Sequence, residues 1–342
     1  MSEESKSGAE TPLLVGIDLG TSRSAIAGSN GDRAWLESYV GWPRDFIARK
    51  VLGKDVMFGS EALENRLSLE LSRPLEHGVI KEGTSRDEES VRELVRHLLE
   101  LGGRVEGQPV KAVVGVPAES LKVSRLAIKR AVADNVDALM VASEPFTVAY
   151  GLGALNHALC IDIGAGTVDF CIMHGTLPGE EDQRTLLAAG DHIDRQLLQI
   201  LREEHPEADW TLNMVRRFKE QHGFVGEPPG PVEVQVPVAG RQTTIDITGA
   251  MGRACESILP GLVETAVELV ARFDPEFQSR VWGNIICAGG GSQLHGLTAY
   301  LERALEDYGA GPVRCVEDPL YAGAEGALAL ARDMPEEYWE QL

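Results

Sequence analysis

Two stretches of this chain share one hydropathic signature. Each has an apolar run, an aspartate between aliphatics, a turn of small residues, and a second apolar run. The first is Leu13-Leu14-Val15-Gly16-Ile17-Asp18-Leu19, turning through Gly20-Thr21-Ser22 into Ser24-Ala25-Ile26-Ala27. The second is Ala158-Leu159-Cys160-Ile161-Asp162-Ile163, turning through Gly164-Ala165-Gly166-Thr167 into 168–173. Short apolar runs bounded by turn residues read as buried strands, so each stretch predicts a hairpin. A Gly/Ser/Thr tip presents backbone N–H groups free of side-chain obstruction, which suits a polyphosphate. Two such hairpins far apart in one chain predict two similar halves gripping one ligand.

Between and after the hairpins the pattern alternates. Residues 38–43 and 51–59 carry β-branched and aromatic residues with Gly and Pro punctuation, and predict strands of a small insert over 33–78. Val91, Leu94, Val95, Leu98 and Leu99 fall on one helical face over 88–101. A buried strand is predicted at 110–116, a helix over 120–135, a short strand at 139–141 and a helix over 146–152. In the second half, helices are predicted from Gly190 to Leu201 and over 212–222. Residues 232–238 and 243–247 alternate like a hairpin, inside a second insert over about 191–250. One long helix or two follow over 248–273, with a break at Pro260-Gly261. A strand at 284–288 runs into Gly289-Gly290-Gly291-Ser292, then come a helix over 294–308, a strand at 313–316 and a helix near 321–332. Tyr338-Trp339 has no pattern. Meander, helix, strand, helix, with an insert in each half, describes a duplicated α/β fold.

Bulk properties narrow the picture. The 342 residues suit two or three domains, and 43% hydrophobic with 25% charged residues can build more than one core. A net charge of −21 argues against direct nucleic-acid binding and against electrostatic attachment to anionic membranes. No apolar run approaches the ~20 residues of a membrane span. Residues 1–12 are polar and acidic, and are expected to form a disordered leader without an amphipathic anchor. The five cysteines show no metal-ligand spacing, and Cys160, Cys171 and Cys287 sit in apolar runs; a reducing cytoplasm fits. His77, His157, His192 and His295 are scattered and suit surface or capping roles rather than a metal site.

The two aspartate–glycine hairpins, Ser143-Glu144-Pro145-Phe146, Lys219-Glu220-Gln221, Ala288-Gly289-Gly290-Gly291-Ser292 and Asp318-Pro319, in this order, resemble the superfamily of actins, sugar kinases and heat-shock chaperone ATPases. From Leu13 onward the chain is most similar to the bacterial actins of the MreB type, and within them to the magnetosome-associated branch. That resemblance implies an actin-like duplicated ATPase fold: two lobes around a nucleotide cleft, each with a smaller inserted subdomain. The expected boundaries are lobe I over 13–157, lobe II over 158–320, and a C-terminal helix and tail over 321–342 packing back on lobe I. It also implies ATP and Mg²⁺ in the cleft, hydrolysis coupled to filament turnover, and self-association into a homopolymer. In the cell it implies a cytoplasmic cytoskeleton that positions magnetosomes through organelle-anchoring proteins.

Site residues follow from the motifs. Asp18 and Asp162 stand just before the turns, where a carboxylate can hold Mg²⁺ through water; the plainer role is to cap the turn. Gly20, Thr21, Ser22, Gly164, Ala165, Gly166 and Thr167 form the expected phosphate cradle. Arg23 either adds charge to it or is simply solvated. Asp169 either ligates indirectly, as in chaperone relatives, or pairs within its hairpin. By resemblance Glu144 orients the attacking water, in concert with Asp162; actin proper carries glutamine at that place, so strong basicity is not required. Its alternative role is an acid favoured by a helix N-terminus. By resemblance Lys219 and Glu220 hold the adenosine, their plainer role being an ordinary charged helix end, and Gly289, Gly290, Gly291 and Ser292 let the backbone approach the adenine. Gly190 is a further position for close backbone approach. Competing functions are a cell-shape or plasmid-segregating actin, a small-molecule kinase on the same fold, and a chaperone ATPase. A kinase needs an added base near a sugar-sized pocket. A chaperone of that class carries a long β-rich domain after the ATPase.

Overall fold

The computed structural model describes residues 11–77, 79–81, 85–118 and 121–342. Most of the expected leader, and the expected helix start at Ser120, lie outside these residues. Two mixed sheets carry the fold. The first has six strands in the order Glu340–Gln341, Ala138–Ser143, Val110–Val116, Leu13–Leu19, Arg23–Gly28, Arg33–Glu37. The second has five, in the order Gln183–Leu186, Val168–His174, Asn156–Ile163, Ile285–Ala288, Val313–Cys315. In each, an antiparallel meander of three strands is followed by two parallel strands reached through crossovers. The duplication is therefore real at the level of strand order. It also fixes the aspartates: Asp18 lies beside Gly115 on the next parallel strand, and Asp162 beside Ala288.

Burial explains the strand compositions. Val110–Val116 is covered on both faces and is apolar almost throughout, as parallel central strands are. The Ser85–Leu101 helix buries Val91, Leu94, Val95, Leu98 and Leu99 against the outer face of the first sheet. The second sheet's outer face builds the largest core, shared by helices Gly190–Glu204, Thr248–Glu256, Leu259–Ala271 and Leu297–Ala304. Residues of the expected second insert, including Val215, Val234 and Val236, belong to that same core.

A third core lies between the two sheets. It is filled by helices Glu144–Gly151 and Ala322–Asp333. These two helices meet backbone to backbone: a Cβ on Gly151 would stand 2.8 Å from the Gly326 Cα, and one on Gly326 would overlap the Thr147 carbonyl. The small residues of 322–333 are what let the helix fit there. Trp339 is buried in this core, and Glu340–Gln341 adds an edge strand to the first sheet.

Several expectations are corrected. Arg33–Glu37 pairs with Arg23–Gly28, so the first insert begins after residue 37 rather than at 33. The strand expected over 51–59 is mostly absent. A helix, Phe46–Leu52, occupies its start, with only Met57–Phe58 extended. The reason is end chemistry: Asp45 Oδ1 accepts from the N–H groups of Ile47 (2.9 Å) and Ala48 (2.8 Å), and Gly53 closes the helix at φ 66°. The 248–273 segment is two helices, and Pro260 stands in the first turn of the second rather than breaking one helix. The patternless tail forms a strand just after Trp339.

Candidate functional site

A cleft of about 670 Å³ opens between the two sheets. Asp18, Gly20, Thr21 and Ser22 line it from the first hairpin, and Asp162, Gly164, Ala165, Gly166 and Thr167 from the second. Glu144, Gly190, Lys219, Glu220, Gly289, Gly290 and Gly291 complete the sequence-predicted set on its wall. Ser292 is not on the wall. It is buried, and its hydroxyl donates to the Gly289 carbonyl at 2.7 Å, holding the glycine loop closed from behind. That loop rests on the second hairpin: a Cβ on Gly289, at φ 72°, would overlap Asp162 Oδ1.

The floor of the cleft is carboxylate. Glu144 is the first residue of the helix that follows Ala138–Ser143 of the first sheet, buried against Gly115 on the strand beside Asp18, while Asp162 lines the cleft from the second hairpin. Burial raises the Asp18 pKa to about 6. Burial, then the charges of Asp18 and Asp169, pushes Asp162 well above the usual carboxylate range. Glu144 is raised well above it too, by burial first and then by Asp18, Asp169 and Asp162. Asp169 is held apart from the cleft. It accepts from the Ala118 N–H (2.8 Å) and the Thr185 hydroxyl (2.6 Å), so it bonds within its own meander and also across to the first sheet's loop. A set of buried hard oxygen donors whose proton affinity is raised by burial and, at Asp162 and Glu144, by neighbouring carboxylates is the environment a divalent cation relieves. Among the described residues no group of three or more His, Cys, Asp or Glu is gathered tightly enough to hold a metal directly.

The wall beside the second turn is cationic. The Gly190 and Asp191 N–H groups donate to the carbonyls of Gly164 (3.1 Å) and Ala165 (2.7 Å), seating the Gly190–Glu204 helix on the turn. Asp194, 1% exposed, pairs with Arg216 and Lys219, each at 2.9 Å. Arg216 also reaches Asp191 (3.2 Å) and the Tyr39 hydroxyl (2.9 Å). Arg73, from the first insert, forks onto Asp191 at 2.7 and 3.2 Å. Arg73, Arg216 and Lys219 against Asp191 and Asp194 leave one net positive charge here, opposite the acidic floor. Lys219 is thus anchored, its Nζ also donating to the Gly190 carbonyl at 3.2 Å. Glu220 pairs with Arg23 across the mouth at 3.0 Å. His77 lies at the second turn, its Nδ1 3.4 Å from the Gly166 carbonyl.

Sequence reasoning passed over Arg73, Arg216 and the loop 229–232, which lines the cleft. Arg216 had a local signal, since it precedes Lys219 by three and shares its helix face. Arg73 had none.

The family model described as MreB/Mbl protein matches residues 14–337. The actin-like protein MamK of Paramagnetospirillum magneticum (strain AMB-1) is 40% identical over 339 residues, covering 99% of this chain and 98% of its own length. Among solved structures, a MamK double helical filament superposes with a TM-score of 0.93 at 39% identity, over 95% of this chain and 100% of that one. A non-polymerising mutant of MamK bound to AMPPNP gives 0.72 at the same identity and coverage. Of the two, this chain superposes more closely on the filament subunit. On the family match and the near full-length identity, this chain belongs to the MreB/Mbl family of actin-like proteins.

Proposed function

We propose that this chain binds ATP with Mg²⁺ between its two sheets, hydrolyses it, and does so as the subunit of a filament that positions magnetosomes. The observation that carries this is the pairing of a buried carboxylate floor with two Gly/Ser/Thr turns from duplicated hairpins. The relatives support the rest, being actin-like, filamentous in one structure and bound to an ATP analogue in another. Backbone N–H groups of the two turns cradle the phosphates. Asp18 and Asp162 would hold Mg²⁺ through its water shell, where it would supply charge neutralisation for the phosphate oxygens. Glu144 orients the attacking water and can accept its proton. Glu220 addresses the ribose, Lys219 fixes the helix that carries Glu220, and Gly289 to Gly291 admit the base. No helix among the described residues is long and apolar enough to cross a membrane, and the filament is read as cytoplasmic, tethered to organelles by other proteins.

The test is a sedimentation assay with phosphate release, run with and without Mg²⁺-ATP. Assembly and turnover are expected only with both. A protein that stays monomeric across concentration and salt would sink the filament reading. Asp162→Ala is expected to cut Mg²⁺-dependent turnover by about 10–100-fold or more; turnover at the wild-type rate would remove the metal assignment.

The carboxylate floor also predicts a pH dependence. Asp18 has a folded pKa of about 6 against an ordinary 3.8. A raised acid stabilises the fold below its ordinary pKa, and that contribution is lost as pH rises through the folded value. The free protein is therefore expected to lose thermal stability between about pH 4 and pH 7. Saturating Mg²⁺-ATP is expected to flatten the loss, because a cation favours the ionised form. Melting curves across that range with and without ligand provide the check, and a midpoint in the free protein that rises over it would contradict the account.

A further inference from the structure

Arg73 lies outside every motif, yet it touches both halves of the cradle. Its Nε donates to the carbonyl of Thr21 in the first turn at 2.8 Å. Its two terminal nitrogens fork onto Asp191 at 2.7 and 3.2 Å. Asp191 in turn donates its N–H to the carbonyl of Ala165 in the second turn at 2.7 Å. A path from one phosphate turn to the other thus runs through this one guanidinium. Arg73 and Asp191 are only 19% and 14% exposed, so this pair is not a solvated surface bridge. The same segment reaches the second turn again, where His77 Nδ1 approaches the Gly166 carbonyl. Arg216 donates to the same Asp191 Oδ1 as one of the Arg73 nitrogens and ties it to the Tyr39 hydroxyl.

We infer that Arg73 is a positioning residue that sets the spacing of the two turns for a triphosphate. The planar fork is what the geometry uses: one edge for a carbonyl, the other for a carboxylate, in a fixed relation. Lysine has no such fork. The inference rests on the nucleotide reading of the cleft and adds a specificity element to it. A ligand whose phosphate chain spans both turns gains from their fixed spacing, because the ordering is done before it arrives. A monophosphate, held by the base, the ribose and one turn, gains little. Arg73 therefore acts on the discrimination of ATP over AMP rather than on binding at large.

The experiment is a titration of ATP and AMP, each with Mg²⁺, against the full-length wild type, Arg73→Ala, Arg73→Lys, Asp191→Asn and the double variant Arg73→Ala with Asp191→Asn. Arg73→Ala is expected to weaken ATP about tenfold, or ~1.4 kcal/mol, and AMP by less than about twofold. Arg73→Lys is expected to recover only part of the ATP loss, since it restores charge without the fork. The double variant is expected to be no worse than the weaker single variant, as two members of one contact are. Equal losses for ATP and AMP, full recovery by lysine, or strictly additive losses would each overturn the inference. If Arg73→Ala does not fold, Arg73→Lys and Asp191→Asn carry the same ATP-to-AMP comparison. A wild type that binds neither nucleotide overturns the reading of the cleft itself, whereas normal wild-type binding with an unchanged ratio in the variants overturns only the role of Arg73.

Discussion

Glu144→Ala is expected to lower kcat for ATP hydrolysis by about 10²–10³-fold, with the Kd for ATP within about threefold of the wild type. Filaments are expected to assemble and then persist, on the proposed coupling of their turnover to hydrolysis. The alanine removes the carboxylate that the floor takes from a helix between the sheets. Glu144→Gln separates two roles. If orienting the water is the larger part, glutamine keeps turnover within about tenfold of the wild type; if proton acceptance is, glutamine falls with alanine. The wild-type kcat/KM, which reports the free enzyme, is expected to rise with pH, because burial and then the neighbouring aspartates raise the Glu144 pKa and the carboxylate form grows only above the usual range. The glutamine variant should show no such rise from this group. Phosphate release measured from about pH 5.5 to 8.5 distinguishes the cases. An alanine variant that hydrolyses at the normal rate would remove Glu144 from the mechanism.

Gly326→Ala is the substitution expected to damage the fold most per atom added. One methyl group would overlap the Thr147 carbonyl, which belongs to the facing helix's backbone and cannot rotate away. Either the two helices between the sheets separate or the Ala322–Asp333 helix bends. Overpacking at this scale costs on the order of 3 kcal/mol. Glu144 begins the displaced helix, so turnover should drop along with stability. Gly230→Ala is the matched control, with open space around its Cβ and an ordinary φ, and should be close to neutral. Urea denaturation of the two variants beside the wild type decides it. Coincident midpoints for Gly326→Ala and the wild type would mean the helices are farther apart than described.

The parts of the fold legible in the sequence are those written in neighbouring residues. Leu13–Leu19 with Arg23–Gly28, and Asn156–Ile163 with Val168–His174, announce themselves because the turn, the strand and the aspartate lie within about a dozen positions. The Ser85–Leu101 stripe reads equally well. Phe46–Leu52 misleads because Phe46, Ile47 and Val51 are good strand formers that here lie exposed; the caps at Asp45 and Gly53 outweigh them. Arg73 and Asp191 are 118 positions apart, and nothing near either one marks the contact. The Lys219 expectation illustrates the middle case: its position on the cleft wall follows from motif order, while its engagement with buried Asp194 depends on how two helices cross. Glu340–Gln341 is polar and very short, so only the open edge beside Ala138–Ser143 makes it a strand.

That last strand has a consequence for the order of events during synthesis. The first sheet begins with Leu13–Leu19 and is completed only when Glu340–Gln341 has been made. The Ala322–Asp333 helix packs on the first strand, where a Cβ on Gly16 would overlap the Ala324 carbonyl. At about 5–20 residues per second, the early strands wait tens of seconds for the segment that covers them. The part of their inner face that this helix covers stays open until then, while the strands of the second sheet all lie between residues 156 and 315 and are made before that segment emerges. The half that is translated first is the half that finishes folding last.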